Sequence, residues 1–196
     1  MNILIIAAHP RIEQSRVNQR WLSELREYPD RITVHELYKT YPDFAIDAKN
    51  EQELIARHDR IVLQFPIQWY SVPALLKQWL DDVFTTSWLF GTGGKAVGGK
   101  ELVVAMSIGG DESSYQSGGM IGYTISELVR PIQVFANQIG MVFLPHYKLY
   151  GAIKAADVQI DNSAVRYVEH ITSPDLNPIT VRQRMLAEMT KASPNP

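Results

Sequence analysis

Between two prolines the chain carries Gln68-Trp69-Tyr70-Ser71, two aromatic rings flanked by hydrogen-bonding side chains, within Phe65-Pro66-Ile67-Gln68-Trp69-Tyr70-Ser71-Val72-Pro73. Such rings are costly to expose unless they meet something planar with polar edges, and a flavin ring has that form. Covering the edge of a sheet is the other use for them, and spacing alone leaves both readings open. A second group follows the first apolar run: His9, then Ser15-Arg16-Val17-Asn18. An imidazole, a hydroxyl and an amide beside a helix start can receive a phosphate together with the first backbone N–H groups. The same residues serve equally as a strand end, an N-cap and a surface amide. The third group is Ser107-Ile108-Gly109-Gly110, with Tyr115 five residues on. Adjacent glycines let the backbone approach a ring closely and permit positive φ, although an ordinary turn has the same composition.

Several chemistries are excluded. No GxGxxG or GxxxxGK[ST] follows the first strand, which removes a Rossmann dinucleotide site and a P-loop. The chain has no cysteine, so disulfides, thiolate nucleophiles, CxxC redox chemistry and iron–sulfur ligation are absent. Redox activity would have to come from a bound organic cofactor or a metal. Asp81 and Asp82 are adjacent on a helix and Glu112 lies near the glycines, but no histidine completes a ligand set, so solvated or capping roles are expected. His35, His58, His146 and His170 stand singly, and no metal site is expected.

The elements that must position these groups alternate. Ile3–Ala8 reads as a buried strand, and Val17, Trp21, Leu22 and Leu25 recur at helical spacing after Ser15. Residues 31–37 give a second strand, an extended polar and aromatic connection runs to Asp47, and residues 49–58 give a weakly amphipathic helix. Ile61–Phe65 is a third strand ended by Pro66. Pro73 starts a helix with Leu75, Leu76, Trp79, Leu80 and Val83 on its apolar face. Leu102–Met106 and Met141–Leu144 are the fourth and fifth strands, with a helix including residues 127–138 between them and a last one over 156–171. This alternation predicts a single α/β domain over residues 1–172, a doubly wound five-stranded parallel sheet in the order 2-1-3-4-5. Residues 173–178 read as a linker to a tail whose helix carries Val181, Met185, Leu186 and Met189 on one face and whose end, residues 193–196, should fray.

At 196 residues, 45% of them hydrophobic, the chain can bury one substantial core. A net charge of −2 recommends neither nucleic acid nor an anionic membrane and argues against a small acidic electron carrier. The longest apolar run, Ile3–Ala8, is far short of a span and has no basic region before it, so a cytoplasmic, non-inserted protein is expected.

Three separated stretches, Pro66–Tyr70 with Val72-Pro73, Leu37–Asp47 and Trp88–Gly94, occur in the order that resembles the NAD(P)H:quinone oxidoreductase family of flavodoxin-like flavoproteins. The bacterial branch with general stress flavoproteins and the ancillary flavoprotein of glutathione-gated potassium efflux is the nearest in pattern. The resemblance spans roughly residues 1–172. It implies bound FMN, with FAD the alternative, NADPH or NADH as co-substrate, and hydride transfer through the flavin to a quinone or similar acceptor. It implies phosphate contacts from His9, Ser15, Val17 and Asn18. Pro66, Ile67, Gln68, Trp69 and Tyr70 would border the isoalloxazine, and Ser107, Ile108, Gly109, Gly110 and Tyr115 would meet its pyrimidine edge. Ser107-Ile108 stands where the family has two threonines. Tyr115 matches the family's tyrosine and would be the proton donor, while the position of the mammalian enzymes' histidine is taken by Ile121. Trp88, Leu89 and Phe90 form an apolar cluster on a Gly-rich loop with no obvious core position, and with the resemblance this implies a homodimer with residues 85–99 near the partner's flavin. A regulatory subunit of a potassium-efflux transporter is the alternative function, and a one-electron carrier a further one.

Overall fold

The structure is a computed structural model that describes residues 1–91 and 94–192. Six strands form one sheet: β1 (Ile3–Ala7), β2 (Ile32–Glu36), β3 (Arg60–Pro66), β4 (Glu101–Ser107), β5 (Val142–Phe143) and β6 (Tyr147–Leu149). All pairings are parallel, in the order β2-β1-β3-β4-β5, with β6 also on β4. The predicted order holds. The fifth position, however, is divided: β5 pairs with Glu101 and Leu102, β6 with Ala105, Met106 and Ser107. Leu144 still donates to the Leu102 carbonyl at 2.8 Å, and Pro145, without an N–H, ends the ladder there. Sequence reading sees only the first half of this strand.

Successive residues of each strand enter different cores because side chains alternate across a sheet. Leu4, Ile6, Leu63, Phe65, Val104 and Met106 face one core, and Ile3, Ile5, Val62, Val103 and Ala105 the other. Helices α1 (Arg16–Leu25), α2 (Leu37–Thr40), α3 (Ala48–Ala56), α4 (Ala74–Val83), α5 (Thr86–Leu89), α6 (Gly94–Val97), α7 (Ile125–Leu128), α8 (Arg130–Gln138), α9 (Asp157–Thr172) and α10 (Pro178–Ala192) complete the chain. The second core is covered by α1 and α9. Trp21 Nε1 donates to Ser163 Oγ at 2.8 Å, Arg20 pairs with Asp161 at 2.7 Å, and Arg16 pairs with Asp157 at the end nearest the strand tips.

Three local expectations are corrected. The connection after β2 is not wholly extended, because Leu37 is buried and α2 forms a turn of helix around it. The helix expected over residues 127–138 breaks at Val129, between α7, which Thr124 and Glu127 cap reciprocally, and α8, which has a proline in its first turn. Trp88 and Leu89 do have core positions: Trp88 packs on Phe84 at 5.8 Å, and only Phe90, 82% exposed, projects outward. Thr92 and Gly93 of the same motif, and the end expected to fray, lie outside the described residues.

At the opposite end of the sheet, Arg60 is buried against Glu101 at 2.7 Å and donates to the Ile171 carbonyl, while Asn177 donates to Glu101 at 2.8 Å. These bonds root the segment from α9 to α10 below the site. Among the described residues no helix is long and apolar enough to cross a membrane.

Candidate functional site

Parallel α/β sheets bind ligands beyond the carboxyl ends of their strands, where adjacent loops leave in opposite directions. The ends of β1, β3 and β4 meet here at a cleft of about 470 Å³ lined by His9, Ser15, Val17, Ile67, Ser107 and Gly109 among others. The three groups singled out by sequence are therefore brought together.

One end of the cleft is built from donors. Ser15 caps α1, its Oγ accepting the Asn18 backbone N–H at 3.1 Å. Arg16 and Val17 begin the helix, and their N–H groups have no carbonyl one turn earlier to bond. His9 accepts the Arg11 N–H on Nδ1 at 3.1 Å, which leaves Nε2 as the protonated nitrogen of the neutral ring. Burial, then the charge of Arg11, hold the His9 pKa below its ordinary value against the pull of Glu13. An anion in the cleft would pull it upward.

Of the residues expected at the cleft, Trp69, Tyr70, Gly110 and Tyr115 lie beside its lining rather than in it, and Asn18 and Ile108 are turned away from it. Asn18 is 1% exposed; its amide nitrogen donates to Ser15 Oγ at 3.0 Å and Ser107 Oγ at 2.8 Å, and its oxygen accepts from Gln64 at 3.3 Å. It stands behind the two hydroxyls. Ile108 turns its side chain into the core, and its N–H and carbonyl bond Leu149 and Ala152, both at 2.9 Å. No contact from Ile108 replaces the missing threonine hydroxyl.

The other end is strained. Gln68 and Ser71 bond each other's backbones at 3.0 and 2.9 Å, which closes a two-residue turn on Trp69 and Tyr70. Their φ values, 45° and 64°, are both left-handed, the geometry of a type I′ turn that normally takes Asn-Gly. Each such residue costs on the order of 1 kcal/mol or more and persists where something over-determines it. Packing does not do so for Trp69, which is 92% exposed. Nothing in the composition of this turn reveals its type.

Neither glycine has positive φ, and space around them is tight. A Cβ on Gly109 would lie 3.0 Å from the Ile153 side chain, and one on Gly110 would lie 3.1 Å from the Tyr115 ring. Tyr115 leans over the loop, 5.8 Å from the Tyr150 ring, and burial, then Tyr70, raise its pKa. Tyr150 and the exposed Ile153, which also lines the cleft, were missed by sequence reading because they follow β6, the half-strand hidden beyond Pro145. Asp81 and Asp82 take the expected surface roles, Asp81 with Lys77 at 2.5 Å and Asp82 with Gln78 at 3.1 Å.

A second buried polar cluster lies away from the cleft. Glu51, with no exposure, accepts from Tyr41 at 2.6 Å and Trp79 at 2.8 Å, and His35 Nε2 is 2.9 Å from it. Burial alone would raise its pKa, but His35 at 2.9 Å and the hydrogen bonds from Tyr41 and Trp79 outweigh burial and leave it below the ordinary value.

Residues 1–171 match the family described as flavodoxin-like fold. The chain belongs to that family. It is 52% identical over 171 residues to the NAD(P)H oxidoreductase YrkL of Bacillus subtilis, itself uncharacterized, covering 87% of this chain and 98% of that one. General stress protein 14 of Treponema denticola, solved in complex with FMN, is 40% identical with a TM-score of 0.82, covering 86% and 97% of the two chains. An NADPH-quinone reductase from P. pentosaceus is 35% identical with a TM-score of 0.77, covering 85% and 95%.

Proposed function

We propose that this chain is a flavin-dependent NAD(P)H oxidoreductase that holds FMN in the cleft and reduces quinones or similar small acceptors. The observation that carries the reading is the pairing of a donor-lined cleft with the strained, exposed Trp69-Tyr70 turn that directly follows Gln68 of its lining. The relatives named for NAD(P)H oxidation, the FMN complex and the quinone reductase support it.

Bound FMN would supply hydride acceptance and donation. The protein's part is to hold and orient it. Ser15, His9 and the N–H groups of Arg16 and Val17 offer donors to a phosphate. Trp69 and Tyr70 provide a flat apolar face, and Gly109 and Gly110 admit a ring edge to the backbone. Tyr115, with a raised pKa, remains protonated at neutral pH and can donate to a reduced acceptor.

The test is titration of the purified protein with FMN, followed by tryptophan fluorescence and by the visible absorbance of the flavin. Micromolar or tighter binding is expected, with quenching largely lost in Trp69→Phe. NADPH should bleach the flavin and a benzoquinone restore it. Absence of FMN binding at micromolar concentration overturns the reading.

We also propose a homodimer. Phe90 and Val134, 82% and 60% exposed, flank a mainly apolar groove of about 770 Å³ between α5 and α8, a surface that a second copy of the chain would cover. A monomer by sedimentation at tens of micromolar, with full activity, overturns this.

A further inference from the structure

We infer that Asn18 is a positioning residue that aims the hydroxyl protons of Ser15 and Ser107 into the cleft and thereby sets its preference for a phosphorylated flavin. The inference rests on the FMN reading and goes beyond it, since it gives the buried amide a role that a direct contact would not.

A serine hydroxyl has one proton and two lone pairs. Ser15 Oγ accepts from both the backbone N–H and the side-chain amide of Asn18, at 3.1 and 3.0 Å, so both lone pairs are taken. Its proton can go only to an acceptor outside the pair. Ser107 Oγ accepts the second amide proton of Asn18 at 2.8 Å, which turns its own proton away from Asn18 as well. Both serines line the cleft, whereas Asn18 and Gln64 are each 1% exposed and do not. The cleft thus presents two donors, the complement of a phosphate monoester and its neighbouring oxygens.

Gln64 holds this polarity. Its amide nitrogen donates to Asn18 Oδ1 at 3.3 Å, which keeps the Asn18 NH2 toward the serines. Turning both amides over would also be self-consistent: the serines would then donate to Asn18 Oδ1, and the cleft would face lone pairs. That state would strand the Gln64 NH2 without a partner. In the observed state the unpartnered atom is Gln64 Oε1, and a buried carbonyl is left unpaired more readily than a buried N–H. Ligand phosphate adds to the same bias.

The experiment compares dissociation constants for FMN and riboflavin, which differ by the phosphate alone. In the wild-type background Asn18→Ala should lower the preference for FMN by about tenfold, the scale of one hydrogen bond to a charged group. In a Ser15→Ala/Ser107→Ala background the same change should move the preference less than twofold, because the groups it acts through are gone. A merely structural role would weaken both flavins together, and a ratio unchanged by Asn18→Ala and by Gln64→Met overturns the inference. Gln64→Met, at a residue outside the cleft and with an orphaned oxygen removed, guards against misfolding of the Asn18 variant. It should lower the ratio about threefold, with riboflavin affinity held. Equal loss of preference from Asn18→Ala in both backgrounds makes Asn18 a direct contact and overturns the inference alone. Wild-type protein that binds neither flavin overturns the FMN reading and this inference with it.

Discussion

Two buried polar clusters in this molecule differ in where their hydrogen-bonding capacity ends. Around Glu51 it ends inside: a tyrosine and a tryptophan donate to one carboxylate that has a histidine beside it and lies away from the cleft. Around Asn18 it ends at the cleft, because Ser15 and Ser107 line it and accept from Asn18 while neither hydroxyl donates to a partner among the described residues. The first arrangement ties α3, α4 and the segment after β2 into one body. The second spends burial on aiming groups at something else. The Trp69-Tyr70 turn extends the contrast to the backbone, since its strain is matched by no packing around Trp69. Local costs that are satisfied within the chain mark structure, and those left open at the strand ends mark the site.

The largest effect expected from this contrast falls on the closed cluster. Glu51→Ala leaves the Tyr41 hydroxyl and the Trp79 N–H buried without an acceptor, at about 1–3 kcal/mol each, so a loss of about 3 kcal/mol or more in unfolding free energy is expected. Flavin affinity of the folded fraction should not change. Denaturant unfolding showing a loss below 1 kcal/mol would mean that the cluster is not closed.

The same carboxylate predicts an acid limb. Its folded pKa is depressed, so its contribution is complete above the unfolded value of about 4.5 and is lost as pH falls below that toward the folded value. Glu127 shifts in the same direction through bonds from Thr124, so the informative measurement is the difference between wild type and Glu51→Gln. That difference should shrink on acidification through this range. A difference constant from pH 7 to pH 3 would remove Glu51 as its source.

The contrast also explains what was legible in the sequence. Strand order, the capping role of Ser15 and the meeting of three loops follow from apolar runs, a helix start and glycines, all of which are local signals. Glu51 was invisible because a glutamate on a weakly amphipathic helix reads as solvated, and only the fold reveals Tyr41 and Trp79 beside it. The resemblance implies a contact from Asn18, and its distance from Ser15 along the chain says nothing about Gln64 or Ser107, which arrive from other strands. The I′ turn was hidden because Trp and Tyr are not its usual residues, and Tyr150 and Ile153 because Pro145 interrupts the strand before them.

Tyr115 tests the open side at the level of rate. Its ring packs over Gly110 and its pKa is raised, so at neutral pH the hydroxyl is a donor. Tyr115→Phe should slow reoxidation of the flavin by a benzoquinone about tenfold, below the 10² to 10⁴ of general acid catalysis because water can substitute in an open site. Flavin reduction by NADPH and FMN affinity should hardly move. Stopped-flow traces separate the two half-reactions, and identical reoxidation rates would assign Tyr115 to packing.

The smallest expected effect is also the most direct test of whether the turn's strain serves the fold or the ligand. A tryptophan removed from a core costs about 3–5 kcal/mol, and Trp79 is such a residue. Trp69 makes a different case, because at 92% exposure it has almost no burial to lose and its φ of 45° suits glycine better than any side chain. Against that relief stands the larger entropy glycine loses on folding, about 0.5–1 kcal/mol. The two nearly cancel, and Trp69→Gly should unfold within about 0.5 kcal/mol of the wild type, on the more stable side if the left-handed strain exceeds 1 kcal/mol. FMN binding should nonetheless weaken and most of the fluorescence quench disappear. A stability loss above 1 kcal/mol with flavin affinity unchanged would reverse the assignment, placing Trp69 with Glu51 among the residues that the fold keeps for itself.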